Sequence, residues 1–350
     1  MDLLKYLNSR ILKLNNVRFS LLLFMVTLIK SGLSPIGSEF VGWLRDTSRA
    51  LPHAITYLVS SPLPLILMRI LNYPNDWVWW GLGFALYVSW IWLTTFFLWR
   101  RFPGNEKVMS VLFAASVPFS SAAMLLGHID IYVLIGATLA VLARFRGHIF
   151  LGALISIGGN ADQAIASSVC LLLLFMAGSL TSKKLVKTWI PLSVLTYLVI
   201  HMVLKIENTN DPKLVILGEI RNVTINSIGV WDLTLYSQMG LLWLPWLFFI
   251  FPHYKGTRSK FFVLLGVIIL PLGMSFFILD GTKIGTTVGF LTLLVSLLDQ
   301  YDKLNFREQT KNLFVTIGFL FIVTFPAIIV GNGGVLRLPY RKLITHFLKN

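Results

Sequence analysis

The sequence predicts an all-α fold, a polytopic transmembrane helix bundle of about eleven spans with an amphipathic segment in the first extracytoplasmic loop. Three observations predict it. Of 350 residues 56% are apolar and 13% charged, where a soluble domain carries about a quarter charged. Mean hydropathy is +0.75, and the apolar residues gather in runs near the roughly 20 residues that a spanning helix needs. The basic residues fall between these runs rather than in one patch, so the net charge of +15 argues for membrane orientation and against a nucleic-acid partner. A single cysteine, Cys170, sits in the apolar run SSVCLLLLF. That excludes a disulfide framework, a thiolate metal cluster and a redox pair.

Taken in order, residues 1–18 read as a cytoplasmic interfacial helix, because MDLLKYLNSRILKL repeats apolar residues at helical spacing with Lys5, Arg10 and Lys13 between them. Lys30 interrupts the following run and no small-residue cleavage site precedes Pro35, so a cleavable signal peptide is not expected. The bundle occupies 19–330, with runs near 19–36, 77–99, 108–127, 129–143, 149–160, 164–180, 188–204, 237–253, 261–279, 284–298 and 313–330. The second is the clearest, since it opens in tryptophans suited to the headgroup level and stops at Arg100 and Arg101. Those at 129–143 and 149–160 are too short for a straight crossing and are expected to tilt or to line a cavity. Residues 331–350 are expected to form an extracytoplasmic tail, read as a surface helix, although Arg337, Arg341, Lys342 and Lys349 on that side leave open a span count different by one.

With the N-terminus cytoplasmic and the spans alternating, eighteen of the thirty Lys and Arg fall on the cytoplasmic side, including Arg100, Arg101, Lys107, Arg146, Lys183, Lys184, Arg258 and Lys311. Every predicted cytoplasmic break is basic, as the positive-inside rule requires. Ten of the fifteen acids fall outside, and Glu39, Asp130, Asp162 and Asp280 stand close to the outer ends of spans. Ionisable groups at that depth are costly and commonly face a cavity or a partner. The plainer reading makes each a solvated acid at the start of an outer loop.

Their neighbours decide where binding chemistry is sought. His128 and Asp130 share the short turn Gly127-His128-Ile129-Asp130, where an imidazole and a carboxylate can orient one another or grip a hydroxyl-rich ligand. Asn160, Asp162 and Gln163 cluster in the next outer hairpin, with several hydrogen-bonding groups that need partners. Asp280-Gly281-Thr282-Lys283 joins an acid, a hydroxyl and an ammonium between two runs; its plain alternative is a local Asp–Lys pair. Arg221, in a second outer segment from Lys205 to Tyr236, offers a fixed positive charge for phosphate. No Gly-rich Lys-Ser/Thr phosphate loop, His-Glu-x-x-His or Gly-x-Ser-x-Gly occurs, which argues against ATP hydrolysis, a zinc protease and a serine nucleophile.

This layout resembles the type C glycosyltransferase superfamily (GT-C), polytopic enzymes that use lipid-phosphate-linked sugars on the extracytoplasmic face. The matching elements are Gly37-Ser38-Glu39-Phe40 through Arg45-Asp46-Thr47 in the first outer loop, Gly127-His128-Ile129-Asp130 between the third and fourth runs, and Asp280-Gly281-Thr282-Lys283. The resemblance implies sugar transfer from a polyprenyl-phosphate donor to a glycan, lipid or protein acceptor, with membrane lipid as the surroundings and no cofactor. By that likeness Asp46 and Glu39 compete for the role of catalytic base, with Asp46 ahead. His128, Asp130, Asn160, Asp162, Gln163, Asp280, Lys283 and Arg221 would hold substrate. The first loop lacks the adjacent acid pair of many members, which leaves both acids in contention. The rival from another class is a secondary transporter, although no internal repeat supports it. A further alternative is another lipid-linked enzyme, such as a polysaccharide polymerase or acyltransferase. A bacterial cytoplasmic membrane is the expected location.

Overall fold

The computed structural model describes residues 10–11, 13–33, 36–51, 57–114, 117–142, 145–206, 246–277, 281–300, 308–324, 329–331 and 334–337. Helical structure lies on every predicted apolar run. Helix α1, Asn16–Ser31, begins where the Asn15 side chain accepts the Arg18 amide at 2.9 Å, which satisfies an otherwise orphaned donor of the first turn. It ends at Gly32, whose φ of 65° suits glycine. Both limits fall earlier than the predicted run 19–36, because local capping rather than hydropathy sets them.

Helices α2, Ser38–Ala50, and α3, Pro62–Ile70, occupy the first loop. The buried positions of α2 are Val41, Leu44, Thr47 and Ser48, while Glu39, Trp43 and Asp46 stay exposed. This three-to-four spacing makes the helix amphipathic. Ser48 Oγ donates to the Leu65 carbonyl at 2.8 Å, and Arg69 Nε donates to the Ser48 carbonyl at 2.7 Å, so α3 is tied back along α2.

The remaining helices are α4 Asp76–Arg101, α5 Glu106–Ala114, α6 Val117–Met124, α7 Asp130–Leu142, α8 Arg146–Gly159, α9 Ala161–Met176 and α10 Leu180–Ile206. After them come α11 Thr257–Leu264 and α12 Leu270–Phe277, joined by the π-helical turn Leu265–Ile269, then α13 Gly281–Gln300 and α14 Glu308–Thr324. Of the run 237–253 only Trp246–His253 is described, as a π turn and a 3₁₀ turn. Among the described residues two stretches, Asp76–Arg101 and Thr257–Met274, are long and apolar enough to cross a bilayer. The 13 residues of α7 reach only about 20 Å, short of a hydrocarbon core of roughly 30 Å.

One departure from purely helical structure is the antiparallel pair β1 Ile329–Gly331 and β2 Gly334–Arg337. The expected surface helix over 331–350 therefore does not include Gly334–Arg337, which is extended, and 338–350 lie outside the described residues. So do most of the N-terminal interfacial helix and the second outer segment beyond Ile206.

The interior holds large indoles whose N–H groups are spent. Trp79, Trp90, Trp189 and Trp246 are fully buried. The Trp90 indole donates to Thr138 Oγ1 at 3.0 Å and that of Trp246 to Ser296 Oγ at 2.9 Å, as buried indoles require. Between α7 and α8 the backbones nearly touch. A Cβ on Gly136 would meet the Gly152 carbonyl and the Ser156 amide, one on Gly152 would lie 2.5 Å from the Ala140 nitrogen, and one on Gly159 would lie 2.6 Å from Tyr132 Cβ. This seam of small residues lets the two backbones approach closely, and it holds the start of α7 against the end of α8.

Helix ends fall into two groups. Ile36 donates its amide to Leu126 O at 3.0 Å, which brings the start of the first loop to the α6–α7 turn. At the opposite end Arg101 Nε donates to Leu142 O at 2.9 Å and Lys311 Nζ to Gly104 O at 2.9 Å, while the Thr181 amide meets Asp299 Oδ1 at 3.0 Å. The basic breaks between runs gather there.

Candidate functional site

The site is built on the α6–α7 turn. Gly127 has φ of 85°, a left-handed conformation that glycine adopts without strain. The Trp79 indole donates to the Gly127 carbonyl at 2.9 Å, and the missing side chain of Gly83, one turn further along α4, leaves room for the Gly127 backbone. Trp79, Gly83 and Tyr87 thus form one face of α4 against this turn, with the Tyr87 hydroxyl donating to Phe119 O at 3.0 Å.

Next in the chain come His128 and Asp130, both buried. His128 Nδ1 lies 3.0 Å from Asp130 Oδ2 and 3.3 Å from the Asp130 amide nitrogen. One ring nitrogen cannot donate and accept at once; the shorter, charge-assisted contact decides for Nδ1–H donating to the carboxylate. That tautomer leaves Nε2 as an acceptor. The ring stacks on Phe40 of α2, centroids 4.9 Å apart. The other carboxylate oxygen of Asp130 accepts Gln163 Nε2 at 2.9 Å, and the positive ends of α7 and α9 both approach the acid.

Around His128 and Asp130 opens a cleft of about 370 Å³, lined also by Gly83, Tyr87, Ser121 and Thr286. Four segments distant in sequence, α4, α6, α7 and α13, therefore meet here. Gln163 adds a buried carbonyl oxygen, Oε1, with no hydrogen-bond partner among the described residues.

The other predicted residues divide. Asn160 ends α8 and caps α9: its Oδ1 accepts the Gln163 amide at 3.2 Å while its own amide donates to Ser156 O at 3.0 Å. Its oxygen is thus committed to folding the hairpin that presents Gln163. Asp162, half-buried, stands in the first turn of α9, where the helix dipole favours an acid. Glu39 is exposed in the first turn of α2, directly before Phe40. Asp46 lies six residues past Phe40, about 9 Å along the helix and on another face. It is exposed, with Arg49 at 4.0 Å. Arg45 beside it is bound to Asp76 at 3.0 Å and to Pro74 O at 3.0 Å. Of the two first-loop acids, Glu39 is the one next in sequence to Phe40, which stacks on His128. Lys283 occupies the first turn of α13, one turn before Thr286. Asp280 and Arg221 lie outside the described residues.

Sequence reasoning missed Phe40, Tyr87, Gly83 and Thr286. The spacing Trp79, Gly83, Tyr87 was the available signal, a small residue flanked at four-residue intervals by aromatics with polar atoms. Among the described residues no three His, Cys, Asp or Glu come together to hold a metal. No family model, curated protein or solved structure matches this chain.

Proposed function

We propose that the protein is a multi-pass membrane glycosyltransferase that moves a sugar from a polyprenyl-phosphate donor to an acceptor hydroxyl at the His128 end of the bundle, taken as extracytoplasmic. The observation that carries this reading is the buried His128–Asp130–Gln163 cluster opening on a cleft beside an amphipathic first-loop helix. Asp130 fixes the imidazole tautomer, and His128 Nε2 takes the proton of the acceptor hydroxyl as it attacks the anomeric carbon. The polyprenyl phosphate leaves with the bonding electrons, its charge met by Lys283 at the start of α13. Glu39 is the alternative base. The GT-C-like layout supports this assignment, as do the exposed apolar faces, such as Leu195, Val199 and Met202 on α10 and Trp92 and Phe96 on α4. A continuous apolar exterior of this kind suits lipid contact.

The test uses purified protein in liposomes with a polyprenyl-phosphate sugar and a range of hydroxyl acceptors. Transfer by the native chain, lost in His128→Ala, supports the reading. Ion-coupled solute uptake without any donor binding would establish the transporter alternative instead.

A further inference from the structure

A second cleft lies at the opposite, basic end, between α1, α4 and α5. One part, of about 340 Å³, is lined by Thr27, Thr95, Ser110 and Phe113 as well as Ser20 and Phe24. An adjoining part of about 380 Å³ shares Ser20, Phe24, Ile91 and Thr95 and continues along Val17, Leu21, Val88 and Trp92, of which Val17, Leu21 and Trp92 are exposed. The groove thus runs from an apolar outer surface to an inner wall that carries hydroxyls.

Two of those hydroxyls are unspent. A helical serine or threonine ordinarily donates to the carbonyl one turn back, and Thr27 does so to Leu23 O at 2.8 Å. Ser20 Oγ and Ser110 Oγ are buried and have no hydrogen-bond partner among the described residues, although Ser110 is only 6% exposed. Each is a donor facing a cleft whose other walls are mainly hydrocarbon.

Basic residues stand at the nearby ends of the same helices. Lys107 Nζ sits 5.7 Å from the centre of the Phe19 ring, between α1 and α5. Arg18 is exposed in the first turn of α1, and Arg100 lies over Phe96 at 5.0 Å. Glu106 is the acid at these ends among the described residues. Ser20 follows Arg18 by two residues and Ser110 follows Lys107 by three, so the hydroxyls lie about 3–5 Å deeper than the cations.

We infer that this cleft binds an anionic glycerophospholipid of the adjacent leaflet. The order along the groove is that of the lipid: cations for the phosphate, then hydroxyl donors for the ester carbonyls, which accept but cannot donate, then the apolar walls of Leu21, Phe24 and Trp92 for an acyl chain. Basic pockets among membrane helices recognise anionic headgroups in this way. The inference rests on the bilayer setting proposed above and is independent of sugar transfer.

Native mass spectrometry of the full chain in mild detergent, incubated with phosphatidylglycerol or phosphatidylcholine, tests it. Phosphatidylglycerol is expected to be retained several-fold more strongly than phosphatidylcholine, and Lys107→Gln to shrink that preference. The Ser20→Ala/Ser110→Ala double variant should weaken retention about ten-fold or more, since each hydroxyl supplies one hydrogen bond. Thr95→Leu, which fills the groove, should act in the same direction. Ser168→Ala, whose hydroxyl donates to Ala164 O within α9, should leave retention unchanged. No retained lipid on the native chain, equal retention of both lipids, or full retention by the double variant and by Thr95→Leu would each overturn the inference. Sedimentation of the chain with membranes after an alkaline carbonate wash reads the bilayer setting separately.

Discussion

The two ends of the bundle use charge in opposite ways. At the basic end cations reach for backbone carbonyls at or just past helix C-termini, Arg101 for Leu142 O and Lys311 for Gly104 O, where the negative ends of helix dipoles favour them. At the His128 end acids occupy helix first turns, Glu39 in α2, Asp76 in α4, Asp130 in α7 and Asp162 in α9. A helix dipole already favours an acid in a first turn, and the membrane orientation proposed above would favour acids at this end, so an acid here needs no function to explain it. Asp130 differs because it is the buried acid among the described residues, and a histidine and a glutamine satisfy it. The comparison teaches that burial and partners, rather than charge sorting, single out the residue worth testing.

The largest expected effect breaks the comparison at that residue. His128→Ala or Asp130→Asn should lower transfer by about a hundred- to ten-thousand-fold, the range of a lost general base, whereas Asp46→Asn should stay near native rates in the same membrane assay. Equal losses in all three variants would return the first-loop acid to the leading role. The next effect concerns the seam on which the site depends. Gly152→Val, forced against the Ala140 backbone, should cost about 3 kcal/mol and lower the unfolding temperature, while Gly147→Ala, with open space around its Cβ position, should be neutral or slightly stabilising.

Smaller changes sharpen the contrast. Gln163→Leu removes the donor to Asp130 and should destabilise the fold by about 1–3 kcal/mol, since the buried carboxylate loses a hydrogen bond. At the basic end Arg101→Lys, which cannot reproduce the Nε bond to Leu142, should cost only about 1 kcal/mol by denaturant titration. A basic-end loss as large as that at Gln163 would erase the distinction between the ends.

Labelling tests the sorting itself. In a Cys170→Ser background, cysteines at Ser38 and Asp162 should react with an impermeant thiol reagent from one side of the membrane and a cysteine at Lys184 only from the other. Reaction from a common side would dissolve the two-ended description.

The sequence by itself marked where helical structure falls among the described residues, because hydropathy runs, caps such as Asn15, Asn75 and Asn160, and stops such as Gly32 are local. It also pointed to His128 and Asp130 as a pair, since two residues apart in a tight turn they have little choice but to be near. Only the tertiary structure decided which acid is buried. Asp130 and Gln163 are 33 residues apart, and they meet because Gly136, Gly152 and Gly159 let two backbones close until the start of α7 lies beside the start of α9. Phe40 reaches His128 by a longer route, through the Ile36–Leu126 bond that folds the first loop over the turn. Packing of that kind depends on missing side chains and shared contacts across the bundle, which no single stretch of sequence encodes.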